Sequence, residues 1–189
     1  MSVPGPFVLP YSGILPSFAG LPEAAGSAAV LGRVTMGRNA RLARCAVIRA
    51  DGHYVSIGDD FWLGAHGTVH IAHNVYPTHI GDHVTVGANA IVHACDVGSN
   101  CVIGRNVVIL DGSKVRDNLA LEDGAIVYPR SSLENGWLYA GRPARPVRKL
   151  ELQELEAMHR ALRVEPAAKG AMAGGSVDLD TRGLHFIAK

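Results

Sequence analysis

Aromatic side chains are scarce. Only 6% of the 189 residues are Phe, Trp or Tyr, although 48% are apolar, so small and aliphatic side chains must fill any core. An excess of one charge is also missing. The net charge is +1, and the Lys and Arg residues are scattered, which argues against the basic footprint of a nucleic-acid binder and against an acidic or basic tail. No apolar run approaches the length that spans a bilayer, so no membrane role is expected. Cysteine is rare. Cys45, Cys95 and Cys101 form no CxxC pair and no even-numbered disulfide framework. They read as the reduced thiols of a cytoplasmic protein. The opening stretch MSVPGPFVLP has no basic region and carries three prolines, so it does not read as a secretion signal.

What is present is a repeat. From Val30 to Val127 an aliphatic residue returns every six positions: Val30, Met36, Leu42 and Ile48; Ile57, Leu63 and Val69; Ile80, Val86 and Val92; then Val97, Ile103, Ile109, Val115, Leu121 and Val127. A helix needs a period near 3.6 and a hairpin strand needs simple alternation. A period of six fits short strands joined by tight turns, three hexads to a coil, and that is the β-helix repeat. Gly58, Gly81, Gly87, Gly98 and Gly104 follow the aliphatic residues, where tight turns favour glycine. One rung cannot bury its own apolar column, whereas stacked rungs bury a continuous one.

The expected fold is therefore all-β, a parallel β-helix of about five coils. The excess residues at RADGHYVS and HIAHNVYPT are expected to loop out, and the short step from Val92 to Val97 makes a tight corner. A Pro-rich exit strap, WLYAGRPARPVRKL, follows the coils. The segment ELQELEAMHRALR then reads as an amphipathic helix packed alongside, with Leu152, Leu155, Met158 and Leu162 on one face. Glu156 and Arg160 are spaced to pair, and His159, Arg160 and Arg163 suit the negative end of the helix dipole. The predicted organisation is a β-helix domain with its straps over 1–149, the helix over 150–163 and a flexible Gly/Ala-rich tail over 164–189.

Five of the nine histidines fall between Gly67 and Ala94: His70, His73, His79, His83 and His93. Ile48, Val69 and Val92 close three successive coils on one side. The residues after them, Arg49, His70 and His93, are thus expected to stack in a column at roughly 4.8 Å per rung. Two imidazoles on adjacent rungs can reach one metal ion, but zinc needs at least a third protein ligand. Among nearby histidines, His73 is the best placed to supply it. The other reading of His70 and His93 is an interface pair, hydrogen-bonded or exposed.

The segments SGILPSF, VIRADG, TVHIAH, IGDHVTVGANAIVHACDVG, NVVILDG and WLYAGRPARPVRKL resemble those of γ-class carbonic anhydrase-like proteins, over roughly residues 8 to 160. The resemblance implies a left-handed β-helix and a homotrimer. It implies zinc shared between subunits, with two histidines from one chain and a third from its neighbour. His70 and His93 match two of those ligands. The remaining one, second in chain order, falls at Ala88, where the family has histidine in VGHKAV and this chain has VGANAI. Arg49 and Asp51 match the family's RGD or RAD pair, and Tyr139 matches a tyrosine near the site. The Gln and Asp of the family's NIQDG segment become Gly64 and Ala65.

Three functions stand as expectations. The first is a trimer with a degenerate zinc site, weakly active or inactive as a CO2 hydratase, serving as a binding or structural subunit. A heterotrimer with a paralogue would let a neighbour supply the lost histidine. The second is a metal-dependent carbonate dehydratase, or a small ester or thioester hydrolase, using a remodelled site of His70, His93 and His73 with Arg49, Asp51 and Tyr139 around it. The third is a CoA-dependent acyltransferase of the wider hexapeptide family with a histidine as general base. Cys95, two residues from His93, reads as a buried inert thiol rather than a nucleophile.

Overall fold

A computed structural model describes residues 6–163 of the chain. Those residues wind into a parallel β-solenoid of about seven turns, each turn laying one short strand on each of three faces. The first face runs through Phe7–Leu9, the start of Ala29–Met36, the start of Val47–Ile57, Thr68–His70, Ile91–His93, Val108–Ile109 and Ile126–Val127. The second face follows the corner after each of these. The third carries Glu23–Ala24, Arg41–Leu42, Trp62–Leu63, Val84–Val86, Cys101–Ile103, Ala120–Leu121 and Trp137–Ala140.

The hexad aliphatics point inward. Val30, Ile48, Val69, Val92 and Ile109 are fully buried on the first face, and Leu63, Val86, Ile103 and Leu121 on the third. Burying each such side chain is worth about 1.5–3 kcal/mol, which suits a core with few aromatics. Corners recur because short polar residues accept the left-handed backbone there. Asn39, Asp60, Asn89, Asn100, Asn106 and Asn118 have φ between 54° and 58°, a region that Asn and Asp tolerate better than most.

A side-chain ladder ties one line of corners together. The Asp59 carboxylate accepts the Arg38 N–H at 2.7 Å, Asp82 accepts the Asp59 N–H at 2.7 Å, and Asp117 accepts the Ser99 N–H at 2.7 Å. Backbone N–H groups at the corners are thus satisfied by the next rung.

The structure departs from the sequence expectations in three places. There are about seven turns rather than five, because Phe7–Ala24 forms a first coil and Ser132–Ala140 completes a last one. The stretch RADGHYVS forms no separate loop, but its excess residues bulge from the ladder, 51–54 standing opposite Arg33 alone. It lies inside the continuous strand Val47–Ile57, which pairs with Ala29–Met36 and bends across the corner between two faces. The register shift between Gly32 and Val34 absorbs the bend. At Gly32, φ is +81° and a Cβ would lie 2.2 Å from the Ala50 carbonyl oxygen, so glycine is required there. The second inserted stretch does leave the solenoid, as a loop closed by the Ala72–Tyr76 bridge.

The third departure concerns the C-terminal helix, Leu152–Leu162. Leu155 is buried against Val102, Ala120 and Leu138 on the third face. Leu152 is 64% exposed, whereas His159 is 1% exposed. His159 is therefore a core residue rather than a solvated partner of the helix dipole, and Glu156 pairs with His83 rather than Arg160. Before the helix, Arg145–Lys149 turns back antiparallel on Trp137–Ala140 and forms the exit strap. No helix among the described residues is long and apolar enough to cross a membrane. The tail over 164–189 lies outside the described residues.

Candidate functional site

The first-face register brings the histidine column together. His93 pairs with His70 on the adjacent rung, and Ile48 with Val69 one rung earlier. The two rings lie 5.1 Å apart, centre to centre. Because Val69 and Val92 point into the core, the residues after them must point out. His70 and His93 are accordingly half-buried, at 22% and 27% side-chain exposure.

Each histidine has its own carboxylate. Asp51 Oδ1 lies 2.9 Å from His70 Nε2, and Asp51 Oδ2 lies 2.9 Å from Arg49 Nε. Arg49 Nε is also 3.1 Å from His70 Nε2. One nitrogen cannot donate and accept at once. The arrangement that satisfies every group has Arg49 and His70 each donating to a different Asp51 oxygen. Burial raises the Asp51 carboxyl pKa, but the His70 hydrogen bond, its own backbone and Arg49 outweigh this and hold it below the usual carboxylate range. His93 Nδ1 donates to Asp111 Oδ1 at 2.6 Å. That bond fixes the ring, and in the uncharged form it makes Nε2 the acceptor, as in carboxylate-oriented histidines.

His73 stands beside this group. Its Nδ1 donates to the Asp51 carbonyl oxygen at 3.1 Å, and its ring lies against Gly52. Tyr139 does not join the group within one chain. It is 4% exposed on the third face, where its hydroxyl accepts the Glu134 N–H at 2.6 Å. Cys95 is buried, and desolvation pushes its thiol far above the ordinary range. Cys101 is pushed up to about 12, again mainly by burial. Asp111 was not singled out from sequence. The available clue was its position in ILDG, one residue past the rung partner of His93.

Zinc is the metal that the resemblance implies, and the described residues of one chain do not by themselves supply its donor set. Tetrahedral zinc takes three or four N, O or S ligands. Among the described residues no group of three His, Cys, Asp or Glu is arranged to hold a metal ion. With His70 Nε2 donating to Asp51 and His93 Nδ1 to Asp111, the acceptor nitrogens of the pair are His70 Nδ1 and His93 Nε2. Ala88 has no donor atom. At Gly64 an added Cβ would lie 2.6 Å from the Ala88 nitrogen and 2.7 Å from the Gly87 carbonyl carbon. The backbone of the next rung thus fills the space a longer side chain would need.

Comparison with known proteins fits this architecture. The "Bacterial transferase hexapeptide (six repeats)" model matches residues 77–111, and the "Hexapeptide repeat of succinyl-transferase" model matches residues 95–129. The chain is 31% identical over 163 residues to a carbonic anhydrase of Geobacillus kaustophilus, covering 86% of this chain and 88% of that protein. It is 35% identical over 136 residues to the mitochondrial gamma carbonic anhydrase 1 of Arabidopsis thaliana, covering 69% of this chain. The chain spans about half the length of the curated plant relatives it matches. Among solved structures, a hexapeptide transferase family protein from Anaplasma phagocytophilum superposes with a TM-score of 0.72 at 26% identity, covering 82% of this chain and 92% of that one. Repeat, fold and relatives agree: the chain belongs to the γ-class carbonic anhydrase family of hexapeptide-repeat proteins.

Proposed function

We propose that this chain is a γ-carbonic anhydrase-like trimer whose zinc site has degenerated, with little or no CO2 hydration, and that it works as a binding or structural subunit. The observation that carries the reading is the donor set. His70 and His93 remain in register, with His70 Nε2 bonded to Asp51, but the positions of three family polar residues hold Gly64, Ala65 and Ala88.

Support for an oligomer comes from the first face. Ala29, Val47, Thr68, Ile91, Val108 and Ile126 stand in register on successive rungs. Each neighbours a buried hexad residue and so points outward. A flat and nearly all-aliphatic stripe of this kind favours covering by a second copy. The β-helix over 1–149, with the helix over 150–163, is the unit that would assemble.

A second reading has one favourable observation. The His93–Asp111 pair leaves Nε2 open and oriented, as a metal-dependent hydratase or a small ester or thioester hydrolase would require. Zinc, cobalt, iron and nickel per chain, measured by elemental analysis on untagged protein purified without chelator, decides between the readings. Metal far below one per subunit, with CO2 hydration at background, is expected. About one metal per subunit interface would overturn the proposal, because another ligand would then be replacing the histidine lost at position 88.

A further inference from the structure

The C-terminal helix is held to the third face by two kinds of contact. The apolar anchor is small: Leu155 is buried there, with Leu150, Met158 and Leu162 partly covered. The rest is polar. His159 Nδ1 lies 2.7 Å from Thr85 Oγ1, and Arg163 Nε donates to that same oxygen at 2.8 Å. The Thr85 hydroxyl therefore turns its hydrogen to His159 Nδ1, which accepts it. The ring proton then sits on Nε2, 3.2 Å from Asn100 Oδ1. Asn100 is oriented in turn by its amide, which donates to Asn118 Oδ1 at 2.8 Å. One uncharged tautomer of His159 satisfies the whole chain of bonds.

The His83 ring lies 4.2 Å from that of His159. His83 Nδ1 bonds Asp60 Oδ2, and His83 Nε2 is 3.0 Å from Glu156 Oε1. Both ring nitrogens meet carboxylates, and donating to both takes two protons. When both protons are present, His83 is an imidazolium beside the His159 ring. Arg163 adds a second cation, with Nη1 2.9 Å from Asp60 Oδ1.

We propose that this pair of adjacent rings makes the C-terminal helix an acid-released strap: a second proton on the His159 ring undocks Leu152–Leu162 from the third face while the solenoid beneath stays folded. A proton at Nδ1 would meet the hydroxyl hydrogen of Thr85, a residue with no exposed surface. It would also set a third positive group beside His83 and Arg163. Asp60 and Glu156 face the same cluster, but both are already bonded to His83. The solenoid has its own continuous core, which the helix does not complete.

The direction of the pH effect follows from the same contacts. Burial, then His83, then Arg163 hold the His159 pKa down to about 3, with Asp60 pulling weakly the other way. Burial raises the Asp60 pKa, but its bonds to His83 and Arg163 leave it below the usual range, so Asp60 stays charged in weak acid. In the undocked strap His159 titrates at about 6.5. The undocked form therefore binds the extra proton. Docking is fully present above about pH 6.5 and weakens about tenfold for each unit below it.

Hydrogen exchange on the full chain at pH 7.5 and 4.5, corrected for intrinsic rates, tests this. Helix amides should lose up to about 100-fold of their protection at the lower pH, while amides of Cys101–Ile103 and Val108–Ile109 keep theirs. His159→Gln, neutral at both pH values, should abolish the fall. Should that variant fail to dock, His83→Gln removes the neighbouring positive group, leaves the Thr85 and Asn100 bonds in place, and should reduce the fall, with the part due to burial remaining. An unchanged wild-type helix, an equal loss in helix and rungs, or a fall that persists undiminished in His83→Gln would each overturn the proposal.

Discussion

The substitution Gly64→Ala tests how tightly the rungs approach beside the candidate site. The added Cβ would sit 2.6 Å from the Ala88 nitrogen, where ordinary contact begins near 3.4 Å. Relief requires the two rungs to part locally by about 0.8 Å. The Gly64 N–H to Val86 carbonyl bond, 2.8 Å long, would then stretch beyond useful length. Overpacking and a lost backbone bond together cost about 1.5–3 kcal/mol. The stiffer unfolded chain returns about 0.5–1 kcal/mol. The net loss is about 0.5–2.5 kcal/mol, a Tm lower by about 1–10 °C for a chain of this size. Thermal unfolding followed by circular dichroism at fixed protein concentration reads it. Gly20→Ala is the control, because the nearest atom to its added Cβ is 3.7 Å away. Equal stability of the two variants would refute the close-approach argument. It would also remove the reason given for why a longer polar residue does not fit at position 64.

Three further outcomes are expected. In native protein a thiol reagent such as Ellman's should label Cys45 alone, since Cys95 and Cys101 are buried with thiols pushed up; rapid labelling of all three before denaturant is added would contradict the packing. Tyr139→Phe removes the acceptor of the Glu134 N–H and should cost about 0.5–1.5 kcal/mol in denaturant unfolding, with metal content unchanged; a changed metal content with intact stability would instead support a role for Tyr139 at the site. Ile91→Lys or Val47→Lys places a charge in the outward apolar stripe and should shift the mass measured by light scattering toward the monomer; an unchanged assembly would move the interface off the first face.

Much of the architecture is legible in the six-residue period, because each buried aliphatic must recur once per side of a coil. The in-register placement of His70 and His93 follows from the same count, since Val69 and Val92 occupy equivalent inward positions. What the count misses is where a corner becomes a bend. Val47–Ile57 crosses two faces as one strand because Gly32 on the neighbouring rung accepts a left-handed backbone and close approach to Ala50. No spacing rule distinguishes that bend from an excluded loop. The Asp111–His93 bond was hidden for a different reason. It joins the outward residue of one rung to a residue at the corner of the next, so it breaks the alternation on which the column argument relies.

His159 shows a clue that was present but overridden. It lies four residues after Leu155 and three before Leu162, on the apolar stripe of the helix, yet its residue type suggested a solvated cation near the helix end. Position should have outweighed type. A histidine on the buried stripe must either be paired or neutral, because desolvating an imidazolium without partners is costly. Its pairing depends on Thr85 and Asn100, more than fifty residues away in sequence, and on Arg163 at the end of its own helix. Local pattern can therefore predict that such a histidine needs partners, but only the fold supplies them. The same holds for the candidate metal site. The sequence shows that Ala88 offers no ligand, while the structure adds that Asp51 holds one ring nitrogen of His70, Nε2, and Asp111 holds Nδ1 of His93.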